Sequence, residues 1–75
     1  MMKLDDLQEG QKATIISIDA SETLKSRLYS FGVLPHETVE LKAHSLAKQT
    51  IEIDIDGTLI ALRASEAHKI EVEPL

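Results

Sequence analysis

Residues 50–62 constrain this chain more than any other stretch. Thr50-Ile51-Glu52-Ile53-Asp54-Ile55 alternates strictly between apolar and polar side chains, Asp56-Gly57 follows, and Thr58-Leu59-Ile60-Ala61-Leu62 returns. Strict alternation is the period of a strand with one buried face, and Asp-Gly is a preferred pair for the two-residue type I′ turn. A two-residue turn sets the register. Ile53 falls opposite Ile60 and Ile51 opposite Leu62, so aliphatic side chains from both strands share one face. Leu59 and Ala61 fall on the other face, opposite Asp54 and Glu52. A lone hairpin is only marginally stable in water, so the rest of the chain must supply a partner for that aliphatic face.

Three further runs read as strands. Ala13-Thr-Ile-Ile-Ser-Ile18 is β-branched, but its phase is irregular because Ile15, Ile16 and Ile18 are all apolar. A bulge would let both Ile15 and Ile18 face inward. In Thr38-Val-Glu-Leu-Lys42, Val39 and Leu41 point one way and Thr38, Glu40 and Lys42 the other. Lys69-Ile-Glu-Val-Glu73 alternates again and stops at Pro74. Leu4 and Leu7 read as apolar anchors of a lead-in turn, with Gly10 making the bend into the first strand. Residues 43–49 read as a polar loop with Leu46 its one large apolar side chain, and residues 63–68 suit a single helical turn.

Between the first two predicted strands lies the one helix, from Ser21 to Gly32. Ser21 suits the N-cap, and Glu22 sits where the helix dipole favours a carboxylate. Leu24, Leu28 and Phe31 recur at i, i+4 and i+7, which predicts an apolar stripe with Phe31 in the core and Tyr29 off it. Gly32 suits the left-handed C-terminal position, Val33 can fold back onto Leu28 in a Schellman motif, and Pro35 prevents resumption of the helix. Five short antiparallel strands need closure to hide their edges, so the expected architecture is mainly β. It is a small, partly open barrel with a short helix between its first and second strands.

Seventy-five residues make one domain, spanning 1–75. A chain this size buries only about 60% of its unfolded surface. Its eight Ile, ten Leu and three Val therefore have to be placed efficiently. The absence of cysteine excludes disulfides and cysteine-ligated zinc or iron–sulfur centres. No apolar run approaches the roughly 18 residues of a membrane span, and the opening Met-Met-Lys-Leu-Asp-Asp is no signal peptide. A soluble cytoplasmic protein is expected. Thirteen acidic against eight basic residues give a net charge of −5, the wrong sign for binding nucleic acid or an anionic membrane.

No catalytic constellation emerges. The serines lack a Gly-x-Ser-x-Gly setting, and the glycines at 10, 32 and 57 are absorbed by turns rather than by a phosphate-cradling loop. Glu52, Asp54 and Asp56 form an acidic row that reads as a solvated strand face. His36, His44 and His68 match no short ligand spacing, so no metal site is predicted. Carboxylates from another strand could still complete one. Tyr29, off the helical stripe, and Leu46, in its polar loop, are the apolar residues that folding leaves over. Together they would make a modest hydrophobic patch of the sort partners use.

The ordered set Arg27-Leu28-x-x-Phe31-Gly32-Val33-x-Pro35, Val39-Glu40-Leu41 and Ile60-Ala61-Leu62-Arg63-x-x-Glu66-Ala67-x-x-Ile70-x-Val72 resembles the FeoA family. These are small cytoplasmic proteins of bacterial ferrous iron uptake, and the resemblance runs from the Leu4–Gly10 lead-in to Val72. It implies an SH3-like barrel, in keeping with the five strands. Similar domains end the DtxR-type iron-dependent repressors, whose DNA-binding and dimerisation domains have no counterpart here. The implied role is accessory: binding the cytoplasmic GTPase-bearing part of the membrane transporter FeoB in support of Fe(II) import. Two departures stand out. Relatives commonly carry Gly after the proline where this chain has His36, and their Ala-Pro-Leu-Gly-x-Pro loop retains only Ala43 and Leu46.

The leading expectation is therefore a non-enzymatic interaction module of a ferrous iron transporter, with no cofactor of its own. Tyr29, Leu34 and Leu46 are its first candidates for docking. The alternative, from another class, is a transition-metal-binding sensor or carrier. A polyproline adaptor would need an aromatic groove, and Tyr29 and Phe31 are the entire aromatic stock. A nucleic-acid-binding barrel would need stacking aromatics and a basic groove.

Overall fold

The Asp56-Gly57 turn forms as its sequence dictates. Asp56 has φ 53° and Gly57 φ 82°, the pair of left-handed residues that a type I′ turn requires. The Asp54 carboxylate accepts the Gly57 N–H at 2.9 Å. On either side run β4 (Thr50–Ile55) and β5 (Thr58–Arg63), with Ile53 opposite Ile60 and Ile51 opposite Leu62. The computed structural model describes residues 2–75. Its other strands and α-helices are β1 (Met2–Lys3), β2 (Lys12–Ile18), α1 (Glu22–Ser30), β3 (Thr38–His44), α2 (Ala64–Ala67) and β6 (Ile70–Pro74), with single 3-10 turns at Leu4–Asp6 and Leu46–Lys48. The strands make one antiparallel sheet in the order β1-β6-β2-β3-β4-β5. The five predicted strands are all present. Met2–Lys3 adds a sixth at the edge, paired with Glu71 and Val72, where a lead-in turn alone was expected.

A bulge resolves the ambiguous phase of β2. Ile15 pairs with Val72 and Ser17 with Glu71, so one residue of β2 is extra, and both Ile15 and Ile18 are buried while Ile16 faces solvent. A second bulge, which the alternation does not signal, lies in β3. Leu41 pairs with Ile53 but Ala43 with Glu52, which carries the strand two residues past Lys42 to His44. Such extra residues bend and twist a strand, as a small curled sheet needs. The lead-in is pinned onto β3, with the Gly10 N–H donating to the Leu41 carbonyl at 2.8 Å. Leu4 and Leu7 are buried accordingly. One aliphatic cluster fills the interior, drawn from every strand except β1, and among the described residues no polar side chain is buried with it.

Helix α1 starts where Ser21 caps it, the serine hydroxyl accepting the Leu24 N–H at 3.2 Å. It ends in a complete Schellman motif. The Val33 N–H donates to the Leu28 carbonyl at 3.0 Å and the Gly32 N–H to the Tyr29 carbonyl at 2.9 Å, with Gly32 at φ 87°. Leu28 and Val33 are both wholly buried. Phe31 is not. The predicted stripe put it in the core, whereas it is the C-cap residue and 46% exposed. The chain reversal at Gly32 turns Val33 into the space a continuing helix would have given Phe31, and a small aliphatic core holds one of the two. The Arg27 guanidinium also bonds the Glu66 carboxylate of α2. With half of the arginine side chain in water, this tie contributes at most about 1 kcal/mol.

Candidate functional site

After β3 the chain forms a tight loop whose backbone is held from both ends. The Ser45 N–H donates to the Thr50 carbonyl at 2.9 Å, and the Thr50 N–H returns to the Ser45 hydroxyl at 3.0 Å. Inside that clamp Ala47 (φ 66°) and Lys48 (φ 55°) are successive left-handed residues, and neither is glycine. Left-handed backbone costs an ordinary L-residue about 1–2 kcal/mol. The clamp holds the loop in shape, and its product is Leu46, which stands 98% exposed. Strained backbone held by its surroundings is concentrated at binding and switch sites.

Beside Leu46 runs a groove of about 660 Å³ whose lining includes Asp5, Asp6, Glu9, His44 and Lys48. The lead-in supplies its carboxylates. Glu9 accepts the main-chain N–H of His44 at 3.2 Å, tying the lead-in to the end of β3. Asp5 stands between two imidazoles. Its carboxylate oxygens are each 3.2 Å from His68 Nδ1, and its carbonyl is 3.5 Å from His44 Nε2. Among the described residues, no group of three or more His, Asp or Glu side chains is arranged to hold a metal ion. His36 lies in the turn before β3, at the end of that strand opposite His44.

The other two candidates lie elsewhere. Tyr29, on the last turn of α1, is 42% exposed, and Leu34, just past the Schellman motif, is 38% exposed. Leu34 precedes β3 and Leu46 follows it, so the seven residues of that strand, roughly 23 Å, separate them. The structure thus brings Tyr29 and Leu34 to the α1 end of the sheet and leaves Leu46 at the other. Ile16, Phe31, Leu59 and Leu75 are exposed apolar residues outside that candidate set. Phe31 and Leu59, the latter 57% exposed, line a second groove of about 430 Å³. Alternation had placed Leu59 on the outer face, and Phe31 was hidden by its apparent place in the helical stripe.

A model of the FeoA domain matches residues 2–74. The chain belongs to the FeoA family. A Campylobacter jejuni relative named for Fe(2+) transport, as transport protein A, is 39% identical over 71 residues, covering 95% of this chain and 96% of its own. Among solved structures, FeoA from Chlorobium tepidum superposes with a TM-score of 0.93 at 28% identity, over 99% of this chain and 70% of that one. FeoA from Stenotrophomonas maltophilia, solved with zinc and described as a prokaryotic SH3 domain protein, gives 0.84 at 26%, over 97% and 91%. The FeoA architecture is thus an SH3-like one, as the resemblance implied. The departure at His36 now has a physical meaning. The Glu37 N–H donates to the Leu34 carbonyl at 3.2 Å, Pro35 occupies the second position of this turn, and His36 occupies the third at φ 77°. That is a type II turn, whose third position favours glycine.

Proposed function

We propose that this protein is a non-enzymatic accessory of bacterial ferrous iron uptake. It acts in the cytoplasm by docking onto the GTPase-bearing cytoplasmic part of an FeoB-like membrane transporter. Membership of the FeoA family supports the iron-uptake context, and no helix among the described residues is long and apolar enough to cross a membrane. The observation that carries the docking mode is Leu46, a large aliphatic side chain held wholly in solvent by a clamped, left-handed loop. Fully burying such a side chain in a partner's apolar pocket contributes about 1.5–3 kcal/mol, and the pre-formed loop spares the cost of ordering it. Asp6 and Glu9, both exposed, would favour basic groups around that pocket. Tyr29 and Leu34 form a second candidate contact at the far end of β3.

Pull-down of the soluble transporter domain tests this directly. Leu46→Asp should lose most of the captured partner and Tyr29→Ala a smaller share, while unchanged capture by both variants would discard these surfaces.

A second reading, a transition-metal sensor or carrier, has one observation in its favour: Asp5 lies against both His44 and His68. It requires stoichiometric binding of Fe(II) or Zn(II) that is lost when either histidine is replaced.

A further inference from the structure

Strand β5 ends the sheet, and its outer edge is built unlike the other one. Edge strand β1 has two residues, too short to template a partner, whereas β5 has six and contains no proline. The type I′ turn makes Ile55 and Thr58 a mutually bonded pair, so Ile60 and Leu62 also bond inward to β4. The 2.8 Å bond from the Ala64 N–H to the Gln49 carbonyl continues that parity. Leu59 and Ala61 therefore aim their main-chain N–H and C=O groups away from the sheet. Among the described residues no backbone hydrogen bond outside the β4 ladder reaches either one. Their side chains are exposed too, and Leu59 shares its groove with the half-exposed Phe31.

We propose that β5 is a self-association edge, on which a second copy of this chain adds its own β5 antiparallel about a two-fold axis through Ile60. That register sets Leu59 opposite Ala61 of the second copy and Ala61 opposite its Leu59, giving four new main-chain hydrogen bonds. A large side chain meets a small one at both positions. Charge selects a second copy over an unrelated strand. Arg63 makes no ion pair among the described residues, and neither does Asp56. In this register Arg63 lies opposite Gly57 of the second copy, beside that copy's Asp56, and the two-fold axis generates the contact twice. The pairing is isologous and closes at two copies. Against it stands the repulsion between two chains of charge −5, so the association is weak and the paired fraction grows only at high protein concentration. This surface is separate from the Leu46 loop, so the two readings stand or fall independently.

Sedimentation equilibrium over a concentration series up to the millimolar range, with amide hydrogen exchange on the same samples, tests the proposal. The average mass should climb from 8.3 kDa toward twice that value. The Leu59 and Ala61 amides should gain protection as it does, whereas Thr58 and Ile60, already bonded inward, should not change. Ala61→Pro removes an outward N–H at a position where an edge strand tolerates proline, and Leu59→Lys places a charge on the edge. Both should stay monomeric with circular dichroism spectra like the parent's, and Arg63→Glu should weaken association several-fold. A constant monomer mass would overturn the proposal. So would a rise in mass that survives both Ala61→Pro and Leu59→Lys, or protection of the edge amides by an unrelated extended peptide but never by the protein itself.

Discussion

Replacing His36 by glycine should make this protein more stable, although it deletes a side chain. His36 occupies the third position of the Leu34–Glu37 type II turn at φ 77°, where an L-residue is strained by about 1–2 kcal/mol. The imidazole is exposed and makes no hydrogen bond or ion pair among the described residues, so its removal costs nothing in packing. Against the relief stands the greater freedom of glycine in the unfolded chain, about 0.5–1 kcal/mol. The net gain is about 0.5–1 kcal/mol. For 75 residues the unfolding entropy near the midpoint is about 0.16 kcal/mol per degree, which makes the shift roughly 3–6 °C upward. Thermal melts followed by circular dichroism would read it. His36→Ala is the control, because alanine keeps the left-handed strain and should leave the midpoint within about 2 °C of the parent. A glycine variant that melts lower, or an alanine variant that gains as much, would refute the reasoning.

Leu28→Ala should cost about 2–5 kcal/mol, since the side chain is wholly buried and is the one fully inserted residue of α1; urea unfolding would show loss of most or all of the folded baseline. Ser21→Ala should cost about 1 kcal/mol by orphaning the Leu24 N–H, read as a lower midpoint in the same titration. Titration calorimetry with Fe(II) or Zn(II) should give heats indistinguishable from buffer, whereas one-to-one binding abolished by His44→Ala or His68→Ala would favour the metal-carrier reading.

Much of this architecture is legible in the chain because its signals are local. Alternation and an Asp-Gly turn specify the β4–β5 hairpin down to its register, and the serine cap and Gly32 bracket α1 to within a residue. The bulge in β2 was forced by three isoleucines that a regular strand could not all bury. The bulge at Lys42 left no such trace, because Lys42 is polar and exposed in either phase. Strand β1 is not legible in the sequence, since two residues carry no period. At Phe31 two sound local rules conflict, an i, i+4, i+7 stripe and a Schellman reversal, and Val33 rather than Phe31 is the residue that is buried. The candidate site was only partly readable. Leu46 declared itself as an aliphatic residue in a polar loop, but the left-handed backbone at Ala47 and Lys48 is not encoded by residue types that favour it. The approach of Asp5 to His44 and His68 depends on 39 and 63 residues of intervening chain, beyond the reach of any spacing rule.

The claim that this FeoA-family chain docks through the Leu46 loop is tested most directly by titrating the isotope-labelled protein with the soluble GTPase domain of the transporter and following its amide resonances. Saturable shifts concentrated at residues 5–9 and 44–50, absent in a Leu46→Asp variant that melts at the parent's temperature, are the expected result. Saturable shifts that spare both segments, or a spectrum that never moves, would contradict it.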